Sequence, residues 1–326
     1  MTLKNKVATV FGGTGFIGTQ VVRELAKRGV TVKVATRVPE RAYFLKPAGA
    51  VGQVVPFACN YGDDSSLAQA VSGSDYVVNC VGILYERGRM RRFNRIHTDL
   101  PEVIAQACKK AGVERFVHIS ALGCDTGTSK YAKSKLAGEK AVLKAYKTAT
   151  ILRPSVVFGE DDDFFNMFAH MARFVPVLPL IGGGETRFQP VFVGDVADAA
   201  MAALERPALG DSNPQGNIYE LGGPDVLSFK EIYELLFDYT QRPRPLVKLP
   251  FWAAKIEAFF LQFLPKPLLT PDQVESLKTD TVVGKKALTL VDLGVNATAL
   301  RSILPRYLPS YRAGGRFGKA GQSSTA

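Results

Sequence analysis

The sequence of 326 residues has few of the residues that build disulfides, metal sites or membrane spans. Its four cysteines, Cys59, Cys80, Cys108 and Cys124, form no Cys-x-x-Cys pair, which favours reduced thiols in a core. The three histidines are far apart, so we expect no metal site. No apolar run reaches the roughly 20 residues of a membrane-spanning helix, and no signal peptide precedes the first predicted strand. We therefore expect a reducing, cytosol-like compartment, or the mitochondrial matrix once a presequence is set aside.

The positive charge is concentrated in the first half of the chain. The net charge is +11; residues 1–150 contain 23 Lys and Arg against 11 Asp and Glu, whereas residues 151–326 contain 18 against 19. Part of the excess is an arginine cluster, Arg87, Arg89, Arg91, Arg92 and Arg95. It is compatible with a solvated loop, with a docking surface for an acidic partner or an anionic lipid surface, or with nucleic acid. No recognition motif accompanies it, so we expect no nucleic acid partner.

Short apolar runs alternate with amphipathic helical patterns through residues 1–155. The predicted strands are Val7–Phe11, Val30–Ala35, Val54–Ala58, Asp75–Val81, Arg115–Ser120 and Ala149–Leu152, and the main helices Gly15–Arg28, Thr98–Ala111 and Tyr131–Tyr146. This alternation predicts an α/β fold, a doubly wound parallel sheet of the Rossmann type. We expect a smaller α/β region over residues 156–313, with helices such as Val193–Glu205 and Ser228–Tyr239, and a disordered tail at 314–326.

A glycine-rich loop follows the first predicted strand, in the stretch Val10-Phe-Gly-Gly-Thr-Gly-Phe-Ile-Gly18. Its three spaced glycines lie between a strand and an amphipathic helix, which is the context of a dinucleotide site. Glycines permit a tight turn and a close approach to a pyrophosphate, and the helix N-terminus offers free N–H groups and the positive end of its dipole. We therefore predict dinucleotide contacts from Gly12, Thr14, Gly15, Phe16, Ile17 and Gly18.

The residues after the second predicted strand bear on which dinucleotide is bound. An NAD site usually has Asp or Glu there, about 20 residues beyond the loop, but this chain has Thr36-Arg37, with Arg41 nearby and no acid before Glu40. A carboxylate would repel a 2′-phosphate, whereas a guanidinium would bind it through two hydrogen bonds. We predict NADP(H), with NAD(H) as the alternative; Arg37 as a merely solvated loop residue is the competing interpretation.

Two further strand ends are predicted to border the cofactor. Asp63 and Asp64 follow the third strand and open a helix, where capping is one role for Asp63 and contact with the adenine amino group is the other. The segment Asn79-Cys-Val-Gly82 ends the fourth strand, where small residues are needed beside a cofactor. We predict contacts from Cys80, Val81 and Gly82.

Several of these segments together resemble the short-chain dehydrogenase/reductase superfamily, in its extended or atypical branch. The resemblance covers about residues 5–240. Besides the glycine loop it rests on Asn94 and on the segments Gly112–Ser120, Tyr131–Lys135, Leu152–Gly159, Phe192–Ala197 and Tyr219–Gly223.

The resemblance implies roles for Tyr131 and Lys135, which are four apart and therefore on one helical face. Lys135 would hold the nicotinamide ribose and lower the pKa of the Tyr131 phenol, and Tyr131 would shuttle a proton during hydride transfer. Ser120 and Pro154 are further expected cofactor contacts, and Ser120 is a weaker candidate for catalysis. An exposed Tyr and Lys at a helix N-terminus is the alternative interpretation.

Two departures weaken the case for catalysis. The superfamily has consecutive hydroxyl residues after the fifth strand, but here the segment is Ser120-Ala-Leu-Gly123, so the expected catalytic position falls on Ala121. The loop from there to Tyr131 is also short. Ser120, Thr126, Thr128 and Ser129 are the candidate substitutes. The cofactor site is predicted to be intact. The substrate site is predicted to lack the usual catalytic hydroxyl and most of the loop that would shape a pocket.

The full pattern is most similar to a narrower group, the NADPH-binding accessory subunits of respiratory complex I. The matching segments include Arg173–Leu180, Gln189–Val196, Leu249–Pro265 and Leu269–Leu277. This resemblance implies a non-catalytic subunit that holds NADP(H) tightly and stabilises the junction of the peripheral and membrane arms. Its partners would be other complex I subunits and an anionic membrane surface, on the cytoplasmic face of a bacterial inner membrane or on the matrix side. The alternatives are a soluble NADP-dependent oxidoreductase or nucleotide-sugar epimerase/dehydratase that uses Tyr131 and Lys135, and a regulator that senses the NADPH/NADP ratio.

An aromatic helix is predicted near the C-terminus, over Phe251–Leu264 between Pro250 and Pro265. It is apolar nearly all round, and its fourteen residues are too few to span a bilayer. Such a helix is either buried in its own fold or docked on a membrane-protein partner or an interface.

Overall fold

A seven-stranded parallel sheet forms the centre of the protein, in a computed structural model that describes residues 3–205 and 215–315. The strands of the described residues are β1 (Val7–Phe11), β2 (Thr31–Thr36), β3 (Val54–Ala58), β4 (Tyr76–Asn79), β5 (Arg115–Ile119), β6 (Thr150–Pro154), β7 (Val157–Phe158), β8 (Leu178–Ile181), β9 (Arg187–Phe188), β10 (Val191–Phe192), β11 (Ile218–Leu221), β12 (Leu227–Ser228) and β13 (Leu246–Leu249). The central sheet has the order β11-β6-β5-β4-β1-β2-β3 with parallel neighbours throughout. The predicted doubly wound parallel sheet is confirmed.

Helices cover both faces of this sheet. Those of the described residues are α1 (Phe16–Lys27), α2 (Asp64–Val71), α3 (Leu100–Ala111), α4 (Lys130–Ala145), α5 (Phe165–Phe174), α6 (Val193–Leu204), α7 (Phe229–Thr240), α8 (Phe251–Leu261), α9 (Pro271–Ser276) and α10 (Leu300–Ile303). Successive strand residues point to opposite faces: Val10 and Val78 pack in the core that contains α1 and α6, while Phe11 and Val77 pack in the core that contains α2 and α3. The sheet is therefore buried on both sides.

Strand and helix ends differ from the sequence prediction by a few residues. The helix predicted from Thr98 begins as α helix at Leu100, after a π-helical segment at Asn94–Asp99. This wider turn lies against α4 at Gly138, where a Cβ would overlap the carbonyl oxygen of His97. The aromatic helix ends at Leu261 rather than Leu264. Packing of side chains and backbone determines where these helices begin and end. The periodicity of the sequence does not predict that packing.

A third core lies in the C-terminal half of the chain. It is rich in aromatic residues of α5 and α7, such as Phe165, Phe168 and Tyr233. Parts of the C-terminal half nevertheless belong to the central sheet region, because α6 packs on α1 and β11 pairs with β6 at the edge of the sheet. The division of the chain at residue 155 stays a prediction. The tail predicted to be disordered lies, from residue 316 on, outside the described residues.

A buried ion pair joins the sheet to α4. Nε and Nη2 of Arg153 on β6 donate to the two carboxylate oxygens of Glu139, at 2.9 and 2.8 Å, and their side chains are only 8% and 2% exposed. Nη1 of Arg153 also donates to Asp125 at 2.6 Å. Such a pair must stay complete, since a lone buried charge is costly.

Arg153→Met should therefore lower the free energy of unfolding by about 3 to 5 kcal/mol, because it leaves the Glu139 carboxylate buried without its partner. Urea denaturation of the purified protein measures this loss. The matched control is Lys230→Met, which breaks the exposed pair of Lys230 with Glu234 on α7 and should cost less than about 1 kcal/mol. Equal losses in the two variants would show that the buried pair contributes no more to the free energy of unfolding than the exposed pair does.

Candidate dinucleotide-binding site

The glycine loop between β1 and α1 forms a turn that side chains would block. Gly12 has a φ of +73°, and a Cβ on it would lie 2.9 Å from the carbonyl carbon of Cys80; a Cβ on Gly18 would overlap the carbonyl oxygen of Gly12. Gly15 caps α1 without a side-chain hydrogen bond, so the N–H groups of the first turn are available to an anion. The loop fits the pyrophosphate of a dinucleotide.

Tyr61, which sequence reasoning missed, braces this loop. Its hydroxyl donates to the carbonyl oxygen of Ala35 at 2.7 Å and accepts from the N–H of Gly12 at 3.2 Å, so it ties the end of β2 to the loop. Burial raises the pKa of Tyr61 to about 12, and the neutral phenol keeps the proton that it donates. The sequence shows only an aromatic residue after β3, without a periodicity that would predict this contact.

The part of the site that is predicted to bind the adenosine of the dinucleotide lies where β2 and β3 end. Arg37 and Arg41 are exposed, and within residues 3–205 and 215–315 neither guanidinium has a hydrogen bond or an ion pair. The positive charge of Arg37 acts on the nearby Tyr61. Asp63 is the N-cap of α2, because its carboxylate accepts from the N–H of Ser65 at 3.0 Å. Capping by Asp63 is thus observed, and its contact with adenine stays a prediction.

One cavity of about 920 Å³ brings most of the other predicted residues together. Its wall includes ten of them: Gly15, Phe16, Ile17, Gly18, Cys80, Gly82, Ser120, Tyr131, Lys135 and Pro154. The remaining predicted contacts are Gly12, Thr14, Arg37, Arg41, Asp63 and Val81, and they lie outside this wall. The cavity therefore connects the loop of α1 to the helix that carries Tyr131 and Lys135.

Lys135 is a buried residue of this wall. Its Nζ donates to the carbonyl oxygen of Ile119 at 3.2 Å, and a Cβ on Gly82 would lie 3.4 Å from Nζ. Burial lowers the pKa of Lys135 from 10.5 to about 8. The absence of a side chain at Gly82 leaves open space beside this amine, where a ribose could accept hydrogen bonds.

Tyr131 sits one turn before Lys135 on α4. Its ring meets those of His97 and Phe93 edge-on, with centroids 5.3 and 5.9 Å apart. Burial raises the pKa of the Tyr131 phenol. The expected lowering of this pKa by Lys135 is therefore not met in the protein alone, because burial disfavours the charged phenolate.

His97 was also missed by sequence reasoning. Its Nε2 accepts from the N–H of Ile83 at 3.0 Å, and its Nδ1 lies 2.9 Å from Oγ of Ser134, whose own proton goes to the carbonyl oxygen of Tyr131. Burial, and then the charge of Lys135, lower the pKa of His97 to about 2. The neutral ring fixes the loop after β4 against α4.

The substrate-polarising hydroxyl has no obvious substitute. Ser120 is only 4% exposed and directs its Oγ to Sγ of Cys124 at 4.0 Å, and the next residue on the cavity wall is Ala121. The other candidates are engaged elsewhere: Thr126 donates to the carbonyl oxygen of Gly123, Thr128 donates to Glu275, and Ser129 caps α4. These three residues are not part of the cavity wall.

Helix α9 closes the N-terminus of α4. The carboxylate of Asp272 accepts from the N–H groups of Lys130 and Tyr131 at 2.7 and 3.0 Å. On the same short helix, Glu275 pairs with Lys255 of α8 at 2.6 Å. The C-terminal region thus helps to position the helix that carries Tyr131 and Lys135.

Helix α8 exposes an apolar surface, which we call the aromatic face. Only its small residues Ala254 and Ala258 are buried. The large side chains of the aromatic face are between 53% and 73% exposed: Trp252, Ile256, Phe259, Phe260 and Phe263. Burial in the protein's own core is therefore the wrong alternative for these side chains.

One residue of the arginine cluster, Arg87, reaches the segment that follows α8. Nη1 of Arg87 donates to the carbonyl oxygen of Pro265, just beyond α8, at 2.7 Å, and Arg91 lies over the ring of Tyr85. Positive charge thus borders the aromatic face. Across the described ranges, no helix combines the length and hydrophobicity needed to cross a membrane, and no cluster of His, Cys, Asp and Glu could hold a metal ion.

The lowered pKa of Lys135 predicts a stability that depends on pH. Between pH 8 and 10.5 the unfolded chain binds more protons at this residue than the folded chain, so stability increases with pH. The free energy of unfolding of the unaltered protein, minus that of Lys135→Met, should rise by up to about 1.4 kcal/mol per pH unit in this window. Urea titrations at several pH values measure it, with Lys140→Met on the exposed side of α4 as control. A difference that stays constant with pH would contradict the shifted pKa.

Known proteins are similar to this chain over most of its length. It is 38% identical over 321 residues to NADH dehydrogenase (ubiquinone) 1 alpha subcomplex subunit 9, mitochondrial, of Arabidopsis thaliana, which covers 95% of this chain and 79% of that protein. It is 30% identical over 314 residues to the NADH-ubiquinone oxidoreductase 40 kDa subunit, mitochondrial, of Neurospora crassa, covering 96% and 81%.

Solved structures share the fold. The NADPH-dependent quinone oxidoreductase of Escherichia coli, complexed with NADPH, superposes with a TM-score of 0.71 at 20% identity and covers 90% of this chain and 97% of that one. The triphenylmethane reductase of Citrobacter reaches 0.71 at 18% identity, covering 93% and 99%. Residues 8–222 match the NAD dependent epimerase/dehydratase family. The chain belongs to this family and, within it, to the group of the NADH dehydrogenase (ubiquinone) 1 alpha subcomplex subunit 9 proteins.

Proposed function

We propose that this chain is an accessory subunit of respiratory complex I that retains a nicotinamide dinucleotide without turning it over. The observation that carries the proposal is the contrast between an intact cradle and an incomplete reaction site: the glycine loop and Lys135 suit a dinucleotide, whereas Ala121 stands where a hydroxyl is expected. Relatives named as complex I subunits, similar over nearly the whole chain, support the assembly.

The dinucleotide is proposed to be NADP(H). When bound, it would supply a hydride acceptor or donor at its nicotinamide ring. The first turn of α1 would bind its pyrophosphate, and Arg37, exposed at the end of β2 without a carboxylate beside it, would bind a 2′-phosphate. Lys135 would hold the nicotinamide ribose. Burial of Lys135 and the edge-on rings around Tyr131 would limit access of water to that end.

Docking is proposed to occur through the aromatic face of α8. Exposed aromatic side chains with a neighbouring positive cluster suit a partner or interface that is apolar and carries negative charge. Other complex I subunits are the proposed partners, with an anionic membrane surface beside them. The corresponding location is the matrix side, or the cytoplasmic face in a bacterium.

A second candidate is a soluble oxidoreductase or nucleotide-sugar epimerase/dehydratase. Tyr131 and Lys135 on the wall of one cavity favour it. Turnover needs a proton donor near its working pH, and burial shifts the pKa of Tyr131 away from neutrality. Purification of the protein as a free chain with an exchangeable nucleotide, without complex I subunits, would favour this candidate over the accessory subunit.

Arg37→Asp should lose NADP(H) and spare NAD(H), because a carboxylate repels the 2′-phosphate and can accept hydrogen bonds from ribose hydroxyls. We expect at least a tenfold loss of NADPH affinity, about 1.4 kcal/mol, measured by calorimetric titration of both nucleotides. Arg23→Asp, which makes the same change on the exposed side of α1, controls for net charge. Unchanged NADPH retention in Arg37→Asp would mean that Arg37 is only a solvated residue.

The double variant Phe260→Asp, Phe263→Asp should prevent assembly, because it places two charges on the aromatic face. Native electrophoresis of detergent-extracted membranes, followed by detection of this chain, measures its migration with complex I. Val51→Asp, at a fully exposed apolar residue far along the chain from α8, is the control. Nucleotide retention in the double variant shows that the chain has folded, and complete co-migration of such a folded variant would refute docking through α8.

A further inference from the structure

The cavity extends well beyond the residues that could contact a dinucleotide. One end is formed by the glycine loop, Cys80, Gly82 and Lys135. The other end, which we call the distal end, lies in the aromatic C-terminal core and is formed by side chains of α5 and α7 that include Phe164, Met167, Phe168, Met171, Phe229 and Tyr233. The distal end is open space beside the expected nicotinamide position, and most of the side chains of its wall are apolar.

The charges of the wall argue against the anionic substrates usual for nucleotide-sugar chemistry. Among the described residues that form it, Lys135 is the only cation, and it lies at the nucleotide end. The rest of the wall contributes carboxylates instead, at Asp163, Glu257 and Asp272. Asp272 is satisfied by the N-terminus of α4, and Asp163 by Lys266. A diphosphate in the distal end would find no cationic side chain among the described wall residues there and would be repelled by Glu257.

The mouth of the distal end is apolar although it faces water. Val175 and Val177 after α5, Val247 on β13 and Leu268 before α9 all belong to the wall and are 37% to 54% exposed. Leu261 at the end of α8 lies on the same wall. A polar metabolite gains nothing from such an entrance, whereas a hydrocarbon chain is stabilised by each methylene that it buries.

We infer that the distal end binds the hydrocarbon chain of a lipid whose head group carries no negative charge. The hydrocarbon chain lies among the side chains of α5 and α7, and the neutral head group lies at the water-exposed mouth, since the exposed carboxylates Asp163 and Glu257 of the same wall disfavour an anion. The inference needs neither turnover nor assembly into complex I; it rests on the proposed function only in that a dinucleotide is expected to fill the nucleotide end and to leave the distal end to the lipid.

Equilibrium binding of radiolabelled hexadecan-1-ol to the full chain, stripped of lipid and saturated with NADPH, tests the inference. We expect one saturable equivalent per chain, no competition by UDP-glucose, and at least tenfold weaker binding of hexadecanoate. Met171→Trp, which fills the distal end, should weaken hexadecanol binding at least tenfold. Met90→Trp, at an exposed methionine outside the wall, should leave it unchanged.

Two more variants locate the binding. Val177→Arg at the exposed mouth cannot disturb a core, and it should weaken hexadecanol while bringing hexadecanoate to comparable affinity. Phe260→Asp, on the aromatic face and outside the wall, should not change either affinity. The inference is overturned if hexadecanol does not saturate, if UDP-glucose displaces it, or if Phe260→Asp abolishes binding that Met171→Trp and Val177→Arg leave intact. Loss of NADPH retention with hexadecanol binding preserved would instead count against the proposed cofactor role.

Discussion

The buried pair of Arg153 with Glu139 is the interaction on which the arrangement of the site depends. Tyr131, Lys135 and Glu139 are spaced four apart on α4, so they form one stripe along the helix. When Arg153 on β6 binds Glu139 through two hydrogen bonds, the rotation of α4 is set, and Lys135 comes to lie below the carbonyl oxygen of Ile119. The pair also makes hydrogen bonds to neighbouring residues: Cys124 donates to Glu139, and Arg153 donates to Asp125 and Glu220. A helix that only packed by hydrophobic contact could rotate slightly and would lose this geometry.

The other end of α4 is held by the C-terminal region rather than by the sheet. Asp272 caps α4, and Glu275 on the same short helix pairs with Lys255 of the exposed helix α8. Helix α8 therefore has two roles in the structure: its small residues pack inward, and its polar residue Lys255 holds α9. A partner seated on the aromatic face would lie one helix away from the cap of the helix that carries Tyr131. The surface and the cavity are thus parts of one arrangement, linked by short polar contacts across α9.

Local features of the fold could be predicted from the sequence, and contacts between distant segments could not. The strand, glycine loop and helix from Val7 to Lys27 are contiguous, so spacing and periodicity were sufficient. The contact of Tyr61 with Gly12 spans 49 residues and the cap of α4 by Asp272 spans 141, and no local pattern marks either. The sequence left open whether α8 is buried or exposed, because a helix that is apolar all round has no preferred inward face. Only its packing shows that the small residues Ala254 and Ala258 face inward.

The state of Lys135 bears on the proposed retention of a dinucleotide. An ammonium group has three donors, and among the described residues the carbonyl oxygen of Ile119 is its one hydrogen-bond acceptor. Burial without further acceptors is costly, which is why the pKa of this lysine is lowered to about 8. Ribose hydroxyls beside Gly82 would supply the missing acceptors and favour the charged form, so the bound state relieves a cost that the free protein carries. A ligand that binds only the folded chain also stabilises it. Folding and the proposed cofactor would therefore be coupled through one buried amine, which suits a structural nucleotide.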